Sequence, residues 1–503
     1  MAFKNSAGAI KNAFSLDLRS IAILRISMGL LIFYDLAYRC LSFTEHYTNR
    51  GAIPHELFSR TNLISLHNLS DTAFIQATLF GLQMILAIAL ALGFKTRIVS
   101  VLSWILLVSL QNRSQMMWYP GDPILVIVLF WGCFLPWHMR FSIDSFNERR
   151  DENFQTAFGL GTVGYLIQIL MIYFMAGLSK NGASWSEGTA VAYALSLKAF
   201  DSGRQEFLLR FPQLLTFLSQ FTRVVELAVP PLLLIPFFKG FIRMTAVFSL
   251  IFLMISLNIF LDMNNLAYVS GGATLGLLPS SFWDILTPKR LSLFTKKSPT
   301  KSAGCFEYSF KHLPLSKAAA LIGLILVSLN NVNNILFYGY FGKDARFLLR
   351  DLDSISIPLR LNQPWMLFHE PRTHPDGWVV VPGYLRSGKQ VDFVTGSALS
   401  WDVPELVPKI YGNFRRRRYF SQIGFPDNSL ERIMKRPGDD FRKSYLAYIC
   451  RAWNANSVEN DPLEKLEFVY MKAVSALRPA LPPAPEKIIL NTMSCKEMTQ
   501  IGN

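Results

Sequence analysis

Lys180 is the residue of this chain best placed to do chemistry. It stands in YFMAGLSKNGASWSEGTAV, Tyr173 to Val191, where a long apolar run gives way to Gly, Ser and Ala. An ammonium at such a boundary either snorkels to the headgroups or faces a dry pocket, where desolvation favours the neutral amine and makes a general base. The small residues around it allow close backbone approach. Trp185 and Glu187 add an interfacial aromatic and a carboxylate within reach of an ammonium. Lys180 is therefore the candidate catalytic residue, and Tyr173, Trp185 and Glu187 are candidate substrate-binding residues.

A second polar group lies in QNRSQMMWYPGDP, which sets Gln111, Asn112, Arg113 and Asp122 between two short apolar segments. Such a link is either an ordinary loop or backbone dipping into a cavity, which lipid tolerates only where protein or water lines it. Asn112 and Arg113 join the candidate substrate-binding residues on the second reading. Arg25 and Asp35 sit in the first apolar stretch, where a charge asks for a partner or a purpose. Ten residues apart, about 15 Å along a helix, they cannot pair with each other, and each is an anchor near a membrane face or reaches another helix. Asn258, Asp262, Asn264 and Asn265 fit a tight helical hairpin turn. His46, His55 and His67, like His369 and His374, match no zinc spacing, and no metal site is expected. FRRRRYF, Phe414 to Phe420, reads as a solvated basic face, or as a site for an acidic partner or phosphate headgroups.

These groups are carried by apolar stretches long enough to cross a bilayer, which needs roughly 20 residues: Ala73 to Phe94, Gly161 to Gly177, Val224 to Phe238, Met244 to Leu261, Leu266 to Ile285 and Ala318 to Tyr338. Shorter ones run from Ile21 to Cys40, Ile98 to Leu110 and Pro123 to Trp137. The expected fold is an α-helical integral membrane bundle of about nine transmembrane helices with a C-terminal mixed α/β water-facing domain. Residues 1–288 form the bundle, 289–317 a basic cytoplasmic loop, 318–339 the last transmembrane helix and 340–503 the extracytoplasmic domain.

Lys and Arg concentrate on the cytoplasmic side of membranes. Lys289, Arg290, Lys296, Lys297, Lys301, Lys311 and Lys317 mark the strongest such loop, so the N-terminus is placed inside and the C-terminus outside. An odd change in the helix count would reverse the last assignment. The net charge of +15 points to anionic membrane lipids rather than nucleic acid. No removable signal peptide is read at the N-terminus. Of the five cysteines, Cys450 and Cys495 share the C-terminal region and either pair in an oxidising compartment or remain separate thiols.

In that region GWVVVPGYLRSGKQVDFV reads as two strands joined at Arg386 to Lys389. Apolar residues recur at helical spacing from Asp439 to Ala455 and from Pro462 to Ala476, and LRPALPPAPEKIIL reads as extended.

The runs SLDLRSIAILRISMGLLIFYDL, ISLHNLS, GFKTRIVSVLSW, LQNRSQ and YFMAGLSKNGASWSEGTAV, in this order, resemble the horizontally transferred transmembrane (HTTM) domain shared with vitamin K-dependent gamma-carboxylases, from roughly Ser15 to Pro288. LRLNQPWMLFHEP, DGWVVVPGYLRSGKQVD and YICRAWN are similar to the tail of bacterial members. The resemblance implies that Lys180 falls on the lysine taken as the base that deprotonates vitamin K hydroquinone. It also places Arg113 where the carboxylases have a histidine. An arginine cannot accept a proton there, though it can bind an anion, so glutamate carboxylation does not carry over.

Two functions follow as expectations. One is a protein of the cell inner membrane that binds a reduced, vitamin K-like quinone or another lipid in its bundle, with redox-linked or modifying chemistry of the quinol-oxygenating carboxylase type. Lys180 is then base or anchor, Arg113 holds an anion and Trp185 lines the entrance. The alternative is a non-catalytic membrane protein acting on a secreted peptide or protein through its outer domain.

Overall fold

The structure, a computed structural model, describes residues 2–54, 63–147, 154–286, 304–307, 314–335, 353–362, 367–373, 376–425, 438–456, 461–473 and 484–496, with Leu57 and Trp365. Most of the basic segment 289–317, His55, His374 and the proline-rich part of the tail lie outside the described residues.

The chain is mostly helical up to Ile335: α1 (Ala2–Phe14), α2 (Leu18–Cys40), α3 (Ala73–Leu92), α4 (Thr96–Arg113), α5 (Gly121–Gly132), α6 (Leu160–Ser179), α7 (Pro212–Leu232), α8 (Lys239–Phe260), α9 (Asn265–Leu275) and α10 (Pro314–Ile335). The apolar stretches read from sequence fall on α2 to α10. Among the described residues α2, α3, α6 and α8 are the helices long and apolar enough to cross a membrane. Two stretches need correction. α7 begins at Pro212 rather than Val224, because its polar first half reads as loop, and it stops after Pro230 and Pro231. The stretch from Leu266 to Ile285 is broken at Gly276 to Pro279 into α9 and a short helix, Ser280–Leu286.

Local chemistry sets these boundaries. α3 stops at Gly93, whose φ of 72° is open to glycine at little cost and whose N–H caps the carbonyls of Ala89 and Leu90. The Asp144 carboxylate then accepts hydrogen bonds from the backbone N–H groups of Lys95 and Thr96, each at 2.8 Å, and from the Thr96 hydroxyl at 2.6 Å. This satisfies donors that the start of α4 would leave free. Burial opposes the charge on Asp144, but these bonds outweigh it and hold the carboxyl below its ordinary range. α2 lies against α3 at Gly29, where a Cβ would come within 2.7 Å of the Ala87 carbonyl oxygen and the Ala91 nitrogen. Arg25 is buried, not a headgroup anchor. It donates to the carbonyls of Ala91 at 3.3 Å, Trp137 at 3.2 Å and Phe141, and Ala91 lies in the electronegative last turn of α3.

Three short strands join the chain ends of the bundle: β1 (Leu16–Asp17) pairs antiparallel with β2 (Phe154–Phe158), which pairs parallel with β3 (Gly304–Glu307). The C-terminal region holds β4 (Gly377–Val380), β5 (Pro382–Leu385), β6 (Gln390–Asp392), β7 (Ser397–Ala398), α11 (Phe414–Gly424), α12 (Gly438–Asn456), β8 (Leu463–Lys472) and β9 (Glu486–Ser494). β4 and β5 follow one another along one edge of β8, β6 and β7 extend that side, and β9 pairs with the other edge. The turn between β5 and β6 places Gly388 at φ 85°, as a tight hairpin requires. The helix expected from Pro462 to Ala476 is instead the central strand β8. Leu466, Phe468, Val469, Tyr470 and Met471 are all buried, and a strand covered on both faces gives a continuous apolar run that periodicity cannot tell from a helix.

Cys450, on α12, and Cys495, after β9, form a disulfide with Cα atoms 5.4 Å apart. It closes a loop of 45 residues and ties the helix to the sheet. Cys450→Ser with Cys495→Ser is expected to cost about 2–4 kcal/mol, seen as a lower denaturant midpoint that reducing agent reproduces in the wild type. No effect of either would mean that the tie contributes nothing.

The FRRRRYF run is neither solvated nor free for a partner. It forms α11, capped by the Asn413 side chain on the Arg416 N–H at 2.8 Å, and its arginines enter the bundle. Arg415 reaches both oxygens of Asp122 at 2.5 Å and Asp35 on α2, its Nε at 3.0 Å. Asp35 also accepts from Arg39 at 2.8 Å. Arg417 pairs with Asp262 at 2.7 Å and the Tyr119 hydroxyl at 2.8 Å, Arg416 with Glu45 at 3.4 Å, and Arg418 donates to the Trp118 carbonyl at 2.9 Å. Asp262 lies in the turn between α8 and α9, the hairpin that the asparagines announce.

His46 and His67 are buried in the connection between α2 and α3, and burial pushes both imidazoles down to about 4. Both rings are neutral in the folded state and gain protons on unfolding below their ordinary value near 6.5. Stability is therefore complete above about pH 6.5 and declines as pH falls toward 4, by on the order of 3 kcal/mol per ring over the whole window. Melting temperature measured from pH 7 to 4 should fall, and His46→Gln with His67→Gln should flatten the fall. An equal slope in the variant would exclude the histidines as its source.

Candidate functional site

A cavity of about 840 Å³ lies among α6, α7, α8 and α9. α8 lines it from Met244 to Phe260, roughly 24 Å at the usual helical rise. Its walls are apolar and aromatic. Among the described residues Lys180 and Glu226 are the charged side chains on its lining. Phe221 on α7 and Phe248 and Phe252 on α8 line it and are exposed.

Lys180 caps the end of α6, its N–H bonding the Gly177 carbonyl at 3.2 Å. Its ammonium turns inward rather than to the surface: the residue is 4% exposed. Nζ lies 2.6 Å from Glu226 Oε2 and donates to the Ala176 carbonyl at 3.2 Å. Gly177 makes the pair possible. A Cβ there would stand 2.9 Å from Leu227 Cγ and 3.0 Å from Glu226 Cβ, so any larger residue would push α7 away. Trp185 sets its ring 5.3 Å from the ammonium, a cation–π distance. Its indole N–H donates to the Phe368 carbonyl at 2.8 Å, while Trp365, Leu367 and Phe368 close the cavity over Lys180. Tyr173 lines the same wall and bonds Thr274 at 3.1 Å.

The other sequence candidates lie elsewhere. Glu187 is exposed and pairs with Arg372, so it is not the carboxylate that meets Lys180. Asn112 and Arg113 do not line the cavity. The Asn112 amide donates to the carbonyls of Ile64 and Pro358 at 2.9 Å and accepts from Arg360 at 2.7 Å. Arg113 donates to the Ile53 carbonyl at 2.9 Å. Both act as braces. Their link touches the cavity only through Trp118, Pro120 and Pro123. Glu226 is the residue that sequence reasoning passed over. It is a lone acid inside the apolar stretch starting at Val224, and the rule that singled out Arg25 and Asp35 applies to it equally.

The model of the HTTM domain family matches residues 15–272, which is over half of the chain. The chain belongs to the HTTM domain family. The matched residues of this HTTM protein run from the start of α2 into α9 and include Lys180, Glu226 and most of the cavity wall, while α11 and the C-terminal sheet lie beyond them. No curated protein and no solved structure gave a match. Family and apolar helices together make this a membrane protein of the gamma-carboxylase-like group.

Proposed function

We propose that this HTTM protein binds a long-chain amphiphile, a reduced isoprenoid quinone or a lipid of similar shape, with its polar head at the Lys180–Glu226 pair. The observation that carries the reading is one buried ion pair in a predominantly apolar cavity of about 840 Å³. Such a site fits a ligand with a long apolar tail and few polar atoms. A hydroquinone would supply the redox chemistry when bound. The chain's own part is to admit the tail between α7 and α8, exclude water beneath Phe368, and hold or take a proton at Lys180 Nζ or Glu226 Oε2. A low dielectric makes both interactions with a hydroxyl stronger than in water.

Arg113, braced away from the cavity, holds no anion in this account. The alternative, action on a secreted peptide through the outer domain, loses its basic surface now that α11 faces the bundle. In our reading the C-terminal domain faces the oxidising side of the inner membrane, which the Cys450–Cys495 disulfide supports. Titration of the purified protein with a reduced menaquinone analogue, followed by quenching of indole fluorescence, tests the reading. Saturable quenching that is reduced in Trp185→Phe, with Trp118 and Trp365 still on the lining, and that needs more ligand in Lys180→Met is expected. Quenching unaffected by both variants would reject the site.

A further inference from the structure

A second cavity, of about 360 Å³, lies where the end of α1 and the starts of α2 and α8 meet, within the range of roughly 300–1,000 Å³ of small-ligand sites. Lys239 and Arg243, one turn apart on α8, both line it. Lys239 Nζ donates to the Ser15 carbonyl at 3.0 Å and the Ser15 hydroxyl at 2.8 Å. Arg243 is 2% exposed and donates to the carbonyls of Ser15 at 2.9 Å, Leu233 at 2.8 Å and Ala13.

These acceptors answer the hydrogen-bonding demand of the two cations but carry no formal charge. Asp17 and Lys11 are also on the lining, and each is already paired, Asp17 with Arg19 at 2.8 Å and Lys11 with Glu307. Among the described residues no carboxylate pairs with Lys239 or Arg243. A buried Arg243 beside a half-buried Lys239, with no counter-ion, is costly. The Ser281 hydroxyl, on the same lining, is buried and has no hydrogen-bond partner, and neither has Arg243 Nε.

We propose that this cavity binds a phosphate group of net negative charge, as phosphatidic acid and inorganic phosphate carry and the zwitterionic phosphatidylcholine does not. Two cations and a free hydroxyl donor suit an oxyanion with several acceptor oxygens. An anionic lipid headgroup and a soluble phosphate share that chemistry.

Thermal unfolding of the full-length protein in detergent, with phosphatidic acid, phosphatidylcholine or inorganic phosphate added, tests the assignment. Phosphatidic acid is expected to raise the melting temperature where phosphatidylcholine does not, with apparent affinity about ten-fold weaker in Lys239→Gln. Ser281→Ala keeps both charges and should bind several-fold more weakly, which preserves the test should Lys239→Gln fail to fold. A shift with inorganic phosphate as well assigns a soluble ligand, and a shift with phosphatidic acid alone assigns a lipid. Equal responses to the two lipids, no response to either lipid or to phosphate, or unchanged affinity in Ser281→Ala and in a folded Lys239→Gln would overturn the proposal.

Discussion

Arg415→Ala will lower the stability of the folded protein by about 3–5 kcal/mol, the usual cost of removing one partner from a buried charge network. Arg415, Asp35, Arg39 and Asp122 are each about 1–3% exposed at the side chain. Without Arg415, Asp35 keeps Arg39 at 2.8 Å, while Asp122 keeps Arg39 at 3.7 Å, the Tyr119 N–H at 2.9 Å and an amide donor from Asn265 at 3.0 Å. Two carboxylates would then share one guanidinium in a dry interior. The loss should also free α11 from the bundle and expose the C-terminal region to protease. Arg386→Ala is the matched control, since its pair with Glu464 is exposed at 65% and 34% and is worth at most about 1 kcal/mol. Denaturant unfolding and limited proteolysis of the two variants decide the matter: equal behaviour would show that the network does not hold the C-terminal region in place.

Glu226→Ala will be nearly as costly, about 3–5 kcal/mol, because it strands the Lys180 ammonium in the apolar cavity. Lys180→Met combined with Glu226→Leu removes both charges and should recover most of that stability, as apolar replacement of whole buried pairs often does. It should not recover ligand binding. A stabilised double variant that no longer binds a quinol separates the functional role of the pair from its structural one. A double variant that binds as well as the wild type would reduce the pair to packing.

The helices of the bundle were legible because their apolar stretches exceed what a soluble helix needs, and Lys180 was legible because a cation at the end of one of them is conspicuous. Its partner was not. Glu226 comes from a different helix, and the closeness that Gly177 permits is a property of two packed backbones, not of either segment alone. Glu187, close in sequence, took its place in the reading. The same blindness affects FRRRRYF, which carries no mark of burial. Partners far away in the chain turn its arginines inward: Asp35 and Asp122 hold Arg415, Glu45 holds Arg416, Asp262 holds Arg417 and the Trp118 carbonyl holds Arg418. β8 shows the converse, a local pattern true to its apolar content but silent on whether strands or helices would cover it.

Lipid extraction and mass spectrometry of the wild-type protein and the Lys180→Met, Glu226→Leu variant, purified from native membranes, test the cavity most directly. The account predicts a near-stoichiometric isoprenoid quinone or similar long-chain lipid in the wild type and its loss from the folded double variant. An equal lipid content in the two proteins, or no lipid above background in the wild type, would contradict it.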